Sequence, residues 1–305
     1  MTDHVKLLSA RERPDMELQN LVKVNVRLLD PTAAPLQVTV VSKDGWVSAE
    51  QVYKKVCDAL GLKASSRSCF TLYERAANPI CRYRSTDEIH VGSAELFLGK
   101  WCFSVSQEKD LMHQDQAATH LVFLQAQHDV QTGKFDLQEE DKQKLDECLE
   151  PGFTAEDQYI LLCQKQPYYQ CLRLPQCRLL QGISVSDCSL KTDSMLDVVV
   201  SKYGVKLVTD KPVIFTWYEV SKWVLNKEDT TVTLTYAPED NAVHADVPLK
   251  TDQAELFLAG ILEMIRLLQK EDKSGASFHA DMITVSPDGS SVWENGLYNP
   301  SKASR

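Results

Sequence analysis

The sequence predicts an α+β protein of several lobes: a β-rich roll, a short helical bundle, and a β-sandwich closed by a C-terminal helix. Three observations carry this. Strict apolar/polar alternation, the period of a half-buried strand, appears near the N-terminus and strand patterns return after residue 179. Between about 104 and 178 the apolar residues recur at helical spacing. Asp252 to Lys270 is one long amphipathic run at the end of the second β-rich stretch.

The elements follow in order. Residues 1–20 are polar and aperiodic and read as a disordered tail. Val22-Lys23-Val24-Asn25-Val26-Arg27-Leu28 alternates, Pro31 to Pro35 is a turn, and Leu36 to Val40 alternates again, giving a hairpin. Ser48 with Gln51 forms a capping-box pattern ahead of a helix with a Val52, Val56, Ala59, Leu60 stripe, and Gly61 is its stop. Cys69 to Glu74 and Ala94 to Leu98 read as strands, completing a first lobe over 21–103. The second lobe, 104–178, takes three main helices: Asp115 to Val130, Leu137 to Glu150 with Leu145 and Leu149 as apolar contacts, and one through Tyr159, Leu162 and Cys163.

The third lobe, 179–271, takes strands at Gly182 to Leu190, Leu196 to Val200, Val205 to Thr209, Pro212 to Tyr218, Thr230 to Ala237 and Val243 to Leu249, then the helix. Asp252 with Glu255 is a second capping-box pattern. Residues 272–305, rich in Ser, Gly, Asp and Pro, read as a second disordered tail.

Composition narrows the function classes. The formal net charge of −10 argues against nucleic acid as a partner and against bulk attraction to anionic membranes. No apolar run approaches the ~18 residues of a membrane span, and the N-terminus lacks a signal peptide's apolar core. The nine cysteines are odd in number and show no Cys-x-x-Cys, so they read as reduced thiols of a cytoplasmic protein, with no metal site.

A roll, a helical bundle and a sandwich in this order resemble a FERM domain, and most closely the FERM module of the sorting nexins of the PDZ-containing type. Glu50 to Val56 with Gly61-Leu62, Gly99 to Phe103, Asp129 to Phe135, Leu174 to Cys177 and Phe215 to Trp223 carry the resemblance over roughly 21–271. Leu258-Ala259-Gly260-Ile261 and the Lys222-Trp223 pair also resemble talin. The resemblance implies a ubiquitin-like first lobe, an acyl-CoA-binding-protein-like helical second lobe, and a third lobe of pleckstrin-homology or phosphotyrosine-binding (PH/PTB) type. In such sorting nexins phox-homology and PDZ domains precede the module. Neither is expected here, and what they supply in phosphoinositide and peptide binding is expected to be absent unless a partner brings it.

The resemblance also implies a site. An extended peptide adds to a strand edge, with main-chain hydrogen bonds for affinity and pockets for specificity. The edge is expected at Ser221, Lys222, Trp223, Val224 and Leu225, and the other wall on the helix at Leu258, Ile261, Leu262 and Ile265. The implied ligand is an Asn-Pro-x-Tyr turn in a receptor's cytoplasmic tail or a scaffold partner, with Trp223 covering the residue upstream and Trp217 kept for the core. Phe215, Trp217, Glu219, Ser221 and Trp223 share a parity unless the strand breaks near Tyr218-Glu219, and a break is expected because a hairpin or corner must fall there.

The first lobe offers a second surface. The resemblance makes Lys23 and Arg27 on the first strand, with Lys54 and Lys55 on the helix, candidate contacts of a Ras-family GTPase, and a solvated face explains them equally well. The alternative function is therefore a GTPase- or phosphoinositide-regulated scaffold that binds no such peptide. The expected location is the cytoplasm, peripheral at endosomal or plasma membranes.

An enzyme is not expected, and no cofactor. His113, His120 and His128 lack a carboxylate or thiol at ligand spacing, Cys171 and Cys177 lack a nearby histidine, and no Gly-rich phosphate loop or Gly-x-Ser-x-Gly occurs. In the tail, Val292 to Pro300 is aromatic in polar surroundings. Asn299-Pro300 is followed by Ser301-Lys302 and so departs from the ligand motif. Trp293 to Pro300 is expected to dock on the chain's own lobes or on a partner.

Overall fold

The structure is a computed structural model that describes residues 20–75, 78–92, 95–150, 155–185, 188–237, 245–271, 280–285 and 291–295.

The first lobe holds β1 (Asn20–Arg27), β2 (Leu36–Ser42), β3 (Trp46–Ser48), α1 (Ala49–Ala59), β4 (Phe70–Glu74), β5 (Cys81–Arg82), β6 (Glu88–His90) and β7 (Leu96–Lys100). Val24 and Val26 are buried while Lys23, Asn25 and Arg27 are exposed, so the alternation does set which face of β1 packs. The main sheet runs β2-β1-β7-β4-β5, with β1 and β7 parallel, and β3 pairs with β6. α1 buries Val52, Val56 and Cys57 in this lobe's core. Ser48 stands at its N-cap position, but its hydroxyl makes no capping hydrogen bond; the Ala49 N–H donates to Asp87 O at 3.0 Å. Gly61 does end the helix. At φ +70° it permits the reciprocal bonds Gly61 N–H to Asp58 O and Leu62 N–H to Cys57 O.

The second lobe holds α2 (Val105–Gln114), α3 (Gln116–Gln131), α4 (Glu139–Glu147) and α5 (Glu156–Cys163). α2 was not expected; its periodicity is hidden because only Glu108 and Leu111 are buried along it. Of the residues expected on one side of α3, Ala118, Leu121, Val122 and Ala126 are buried and Val130 is half-buried, while Thr119, Phe123 and Leu124 are buried besides. Leu149 lies past the end of α4 and is exposed, so only Leu145 anchors that helix.

The third lobe begins earlier than residue 179. β8 (Leu172–Leu179) is followed by β9 (Ile183–Val185), β10 (Cys188–Leu190), β11 (Met195–Ser201), β12 (Gly204–Val208), β13 (Val213–Thr216), β14 (Val220–Asn226), β15 (Thr231–Tyr236), β16 (Ala245–Lys250) and α6 (Ala254–Glu271). Pro175 disguises β8, since a proline cannot donate to a ladder and sits in strands only at edges and bulges. Here the register slips opposite Leu196 and Val198, Gln176 takes φ +54°, and its N–H donates to Asp197 Oδ1 at 3.1 Å. The core gathers Phe215, Trp217, Trp223, Leu234, Leu249, Phe257 and Ile261.

Two further strands lie in the stretch expected to be disordered: β17 (Ala280–Val285) and β18 (Ser291–Asn295). Among the described residues the third-lobe sheet runs β13-β12-β11-β8-β16-β15-β14-β18-β17.

Buried polar contacts lock the lobes together. Lys100 Nζ meets Glu108 Oε2 at 2.6 Å, and Glu108 Oε1 accepts from Tyr169 Oη at 2.5 Å and Gln164 Nε2 at 2.8 Å. Arg173 donates to Gly133 O and Lys134 O and pairs with Asp197, joining second and third lobes. Gln253 Nε2 donates to Pro79 O at 2.8 Å, joining third and first.

Candidate functional site

The site grows from a corner. After β13 the chain turns through Thr216 to Glu219, closed by Glu219 N–H to Thr216 O at 3.0 Å. The Glu219 carboxylate accepts from the Thr216 N–H at 3.1 Å and hydroxyl at 2.7 Å. A register shift between Val220 and Lys222 then adds a bulge at the start of β14. The corner breaks the parity of the run, bringing Val220 inside, and the bulge restores it, so Trp223 and Leu225 lie on the side of Phe215 and Trp217. Phe215, Trp217, Val220, Trp223 and Leu225 all end up buried.

Trp217 therefore packs inside, with its indole N–H donating to Ser201 O at 2.9 Å. Trp223 is inside as well, 0 % exposed, and does not line a groove. Its Nε1 is buried with no hydrogen-bond partner among the described residues. Leu225 is likewise core. Lys222 is exposed, while Ser221, Val224 and Asn226 are half-buried. The expected peptide strand thus offers its backbone edge, Lys222 and Val224, with Trp223 and Leu225 behind it.

The helix divides the same way. Ile261 and Ile265 are core, and Leu258 and Leu262 are half-buried. α6 starts at Ala254, with the Gln253 N–H donating to Thr251 Oγ1 at 3.2 Å. No capping hydrogen bond from Asp252 forms among the described residues, and Glu255 pairs instead with Lys227 at 2.8 Å. Lys227 immediately follows β14. Leu258 and Leu262 lie one and two turns along α6 from Glu255 and share one helix face.

One flank of β14 pairs with β15 and the other with β18. The antiparallel register sets Lys222 opposite Glu294, Trp223 opposite Trp293, Val224 opposite Val292 and Leu225 opposite Ser291. The edge proposed for a ligand is thus occupied by the chain's own tail. Sequence reasoning expected Trp293 to dock but not as a strand. The signal was there: Met282-Ile283-Thr284-Val285 and Ser291-Val292-Trp293 are β-forming runs, separated by Ser286-Pro287-Asp288-Gly289, a turn sequence. Gly296 to Pro300, the rest of the expected docking segment, lie outside the described residues.

The other expected surfaces are less coherent. Lys23 and Arg27 are exposed on β1, but β1 lies between β2 and β7 and is not an edge strand. Arg27 pairs with Glu95 at 3.1 Å and Lys54 with Glu50 at 2.8 Å. Where the lobes meet, a cavity of about 590 Å³ is walled partly by Lys134, Asp129, Arg173 and Asp197. Those charges already pair with one another. His120 pairs with Glu156 at 2.7 Å, and among the described residues no cluster of three metal-ligating side chains forms. Burial pushes the Cys171 thiol up and the Cys177 thiol to about 12, far from a thiolate nucleophile. No helix among the described residues is long and apolar enough to cross a membrane.

Solved structures share this architecture. The MyTH4-FERM MF2 domain of Dictyostelium discoideum myosin VII aligns with TM-score 0.54 at 12% identity, over 80% of this chain and 58% of that one. A mutant of the same domain aligns with TM-score 0.52 at 11% identity, over 80% and 60%. A mutant MF1 domain of that myosin aligns with TM-score 0.54 at 10% identity, over 84% and 60%. The chain thus spans about 60% of the length of those structures. No family model and no curated protein matches the sequence. The fold is FERM-like.

Proposed function

We propose that the chain is a non-enzymatic adaptor whose third lobe captures an extended peptide along β14. The reading takes the three lobes as the ubiquitin-like, acyl-CoA-binding-protein-like and PH/PTB-like parts of a FERM module of sorting-nexin type. The observation that carries it is the outer flank of β14. It is an edge that accepts a strand in antiparallel register, and the strand it accepts belongs to the tail, not to the body of the lobe. Beside it, Leu258 and Leu262 present half-buried apolar surface, suited to a side chain of an added peptide.

The ligand class is an Asn-Pro-x-Tyr turn preceded by an extended segment, from a receptor's cytoplasmic tail or a scaffold partner. The place of work is the cytoplasmic face of endosomal or plasma membranes. Trp223 and Leu225 stiffen the strand from behind, while Val224, Lys222 and the α6 margin meet the ligand.

Fluorescence anisotropy with a synthetic peptide carrying Phe-x-Asn-Pro-x-Tyr tests this. Saturable binding is expected, lost when the Asn-Pro pair is replaced by Ala-Ala. Leu262→Glu should weaken it by about ten-fold, the loss of one apolar anchor. Equal binding of both peptides would overturn the reading, as would no binding by either the wild type or a chain with its tail strand broken.

A further inference from the structure

β17 and β18 differ from every other strand of the third-lobe sheet. β18 is hydrogen-bonded to β14 and β17, and β17 to β18 alone among the described strands. The pair therefore attaches to the lobe through one short ladder, Lys222–Leu225 against Ser291–Glu294. An isolated two-stranded hairpin is at best marginally stable in water. What holds this one in place is the β14 ladder and its covalent link, 272–279, to the end of α6. Such a link acts as a high local concentration, so a weak contact is populated without being permanent.

We propose that this hairpin is a built-in competitor that closes the β14 edge, and that a peptide ligand binds by displacing β18. The inference rests on the peptide-binding reading above. An edge strand has one free row of N–H and C=O groups, so β18 and an incoming strand cannot both use it. The order of the tail fits the role. β18 is followed by Leu297-Tyr298-Asn299-Pro300-Ser301-Lys302. That is the ligand order, an extended segment and then Asn-Pro, with lysine where the ligand has tyrosine. Against a Phe-x-Asn-Pro-x-Tyr peptide the tail is an internal copy of the ligand weakened at two positions, Leu297 and Lys302, as a displaceable cover must be. The register sets Glu294 opposite Lys222. Closure lowers apparent affinity by the fraction of open chains, so a tail closed about 90 % of the time weakens binding about ten-fold.

The experiment uses the full chain and the variant Val292→Pro/Trp293→Pro. Adjacent residues of a strand aim their N–H groups at opposite neighbours, so the two prolines remove one donor toward β14 and one toward β17. Two quantities are read: amide hydrogen exchange along Ser221–Asn226, and affinity for the Phe-x-Asn-Pro-x-Tyr peptide. The variant should lose protection at the β14 amides that face β18, keep it at those that face β15, and bind the peptide about ten-fold more tightly. Lys302→Tyr, which completes the Asn-Pro-x-Tyr motif in the tail, should bind the added peptide more weakly than wild type. Unchanged β14 protection, or equal affinity of wild type and the proline variant, overturns the competitor. Faster exchange with no peptide binding by either chain leaves the tail as a cover and removes the Asn-Pro-x-Tyr reading instead.

Discussion

Trp223 of β14 and Trp293 of β18 stand on the same rung of an antiparallel ladder, one on the body of the third lobe and the other on the tail. Trp223 itself points into the core, so the rung joins the two strands through their backbones at the candidate site. Trp223→Ala should therefore act first on folding. Deleting a buried indole costs about 3–5 kcal/mol, read as a lowered urea midpoint. Trp223→Phe should cost far less, since it also removes a buried N–H that has no partner among the described residues. Full stability with lost peptide binding in Trp223→Ala would mean the indole lines the groove after all.

Lys222 faces outward and lies opposite Glu294 in the ladder. Lys222→Glu sets like charges across that rung and should loosen β18 by about 0.2–1 kcal/mol, an effect that fades as salt is added. The measurement is exchange along Ser291–Asn295 at low and high ionic strength. A salt-independent change would point to a cause other than charge.

Glu108 is the centre of the junction between lobes. Its carboxylate is fully buried and holds the Lys100 ammonium at 2.6 Å. Burial alone would push the Lys100 pKa down, but Glu108 outweighs it and raises the group above its ordinary value. A raised lysine contributes stability that is complete below its unfolded pKa and is lost only as pH rises through the folded one, so neutral pH should not weaken this contact. Glu108→Ala leaves Lys100 buried and unpaired and should cost about 3–5 kcal/mol in denaturant titration. Lys100→Met with Glu108→Leu should recover most of that loss.

Asp115 caps α3 and reaches the first lobe, accepting from Ala118 N–H at 3.3 Å and Lys63 N–H at 2.8 Å. Burial would raise its carboxyl, but the hydrogen bonds from Ser66, Lys63 and Ala118 outweigh it and hold the pKa below the ordinary value. A depressed carboxyl contributes stability above its unfolded pKa of about 3.9 and loses it as pH falls through the lower folded value. The stability gap between wild type and Asp115→Asn should therefore narrow from about pH 5 to about pH 3. A gap independent of pH would assign the effect to shape.

Gly204 opens β12 at φ +144°, where an added Cβ would lie 2.1 Å from Phe215 O. The obstruction is backbone of a paired strand, so it cannot move aside. Gly204→Ala should cost several kcal/mol, on the order of the largest single-substitution effects, seen as a fall in thermal midpoint. Gly61→Ala also carries a positive φ but meets nothing within 4 Å, and should cost only about 1–2 kcal/mol, the strain of a left-handed L-residue.

By itself the sequence determined the class of fold, the position of the long helix and which face of most elements packs. Alternation along β1 and the stripe along α3 are local patterns that survive folding because burial acts on every residue separately. Strands disguised by a proline, as in β8, or by a Ser- and Gly-rich setting, as in β17 and β18, escaped it. In β8 the proline masks the alternation, and in β17 and β18 two short β-forming runs are outweighed by the Ser, Gly, Asp and Pro around them. Tertiary structure alone decided the site. The corner at Thr216–Glu219 alone would have exchanged the faces of the strand, and the bulge between Val220 and Lys222 exchanged them again, so Trp223 returned to the side of Trp217. Only the folded chain shows that the edge of β14 is filled by β18, because an edge is defined by what lies beside a strand in space.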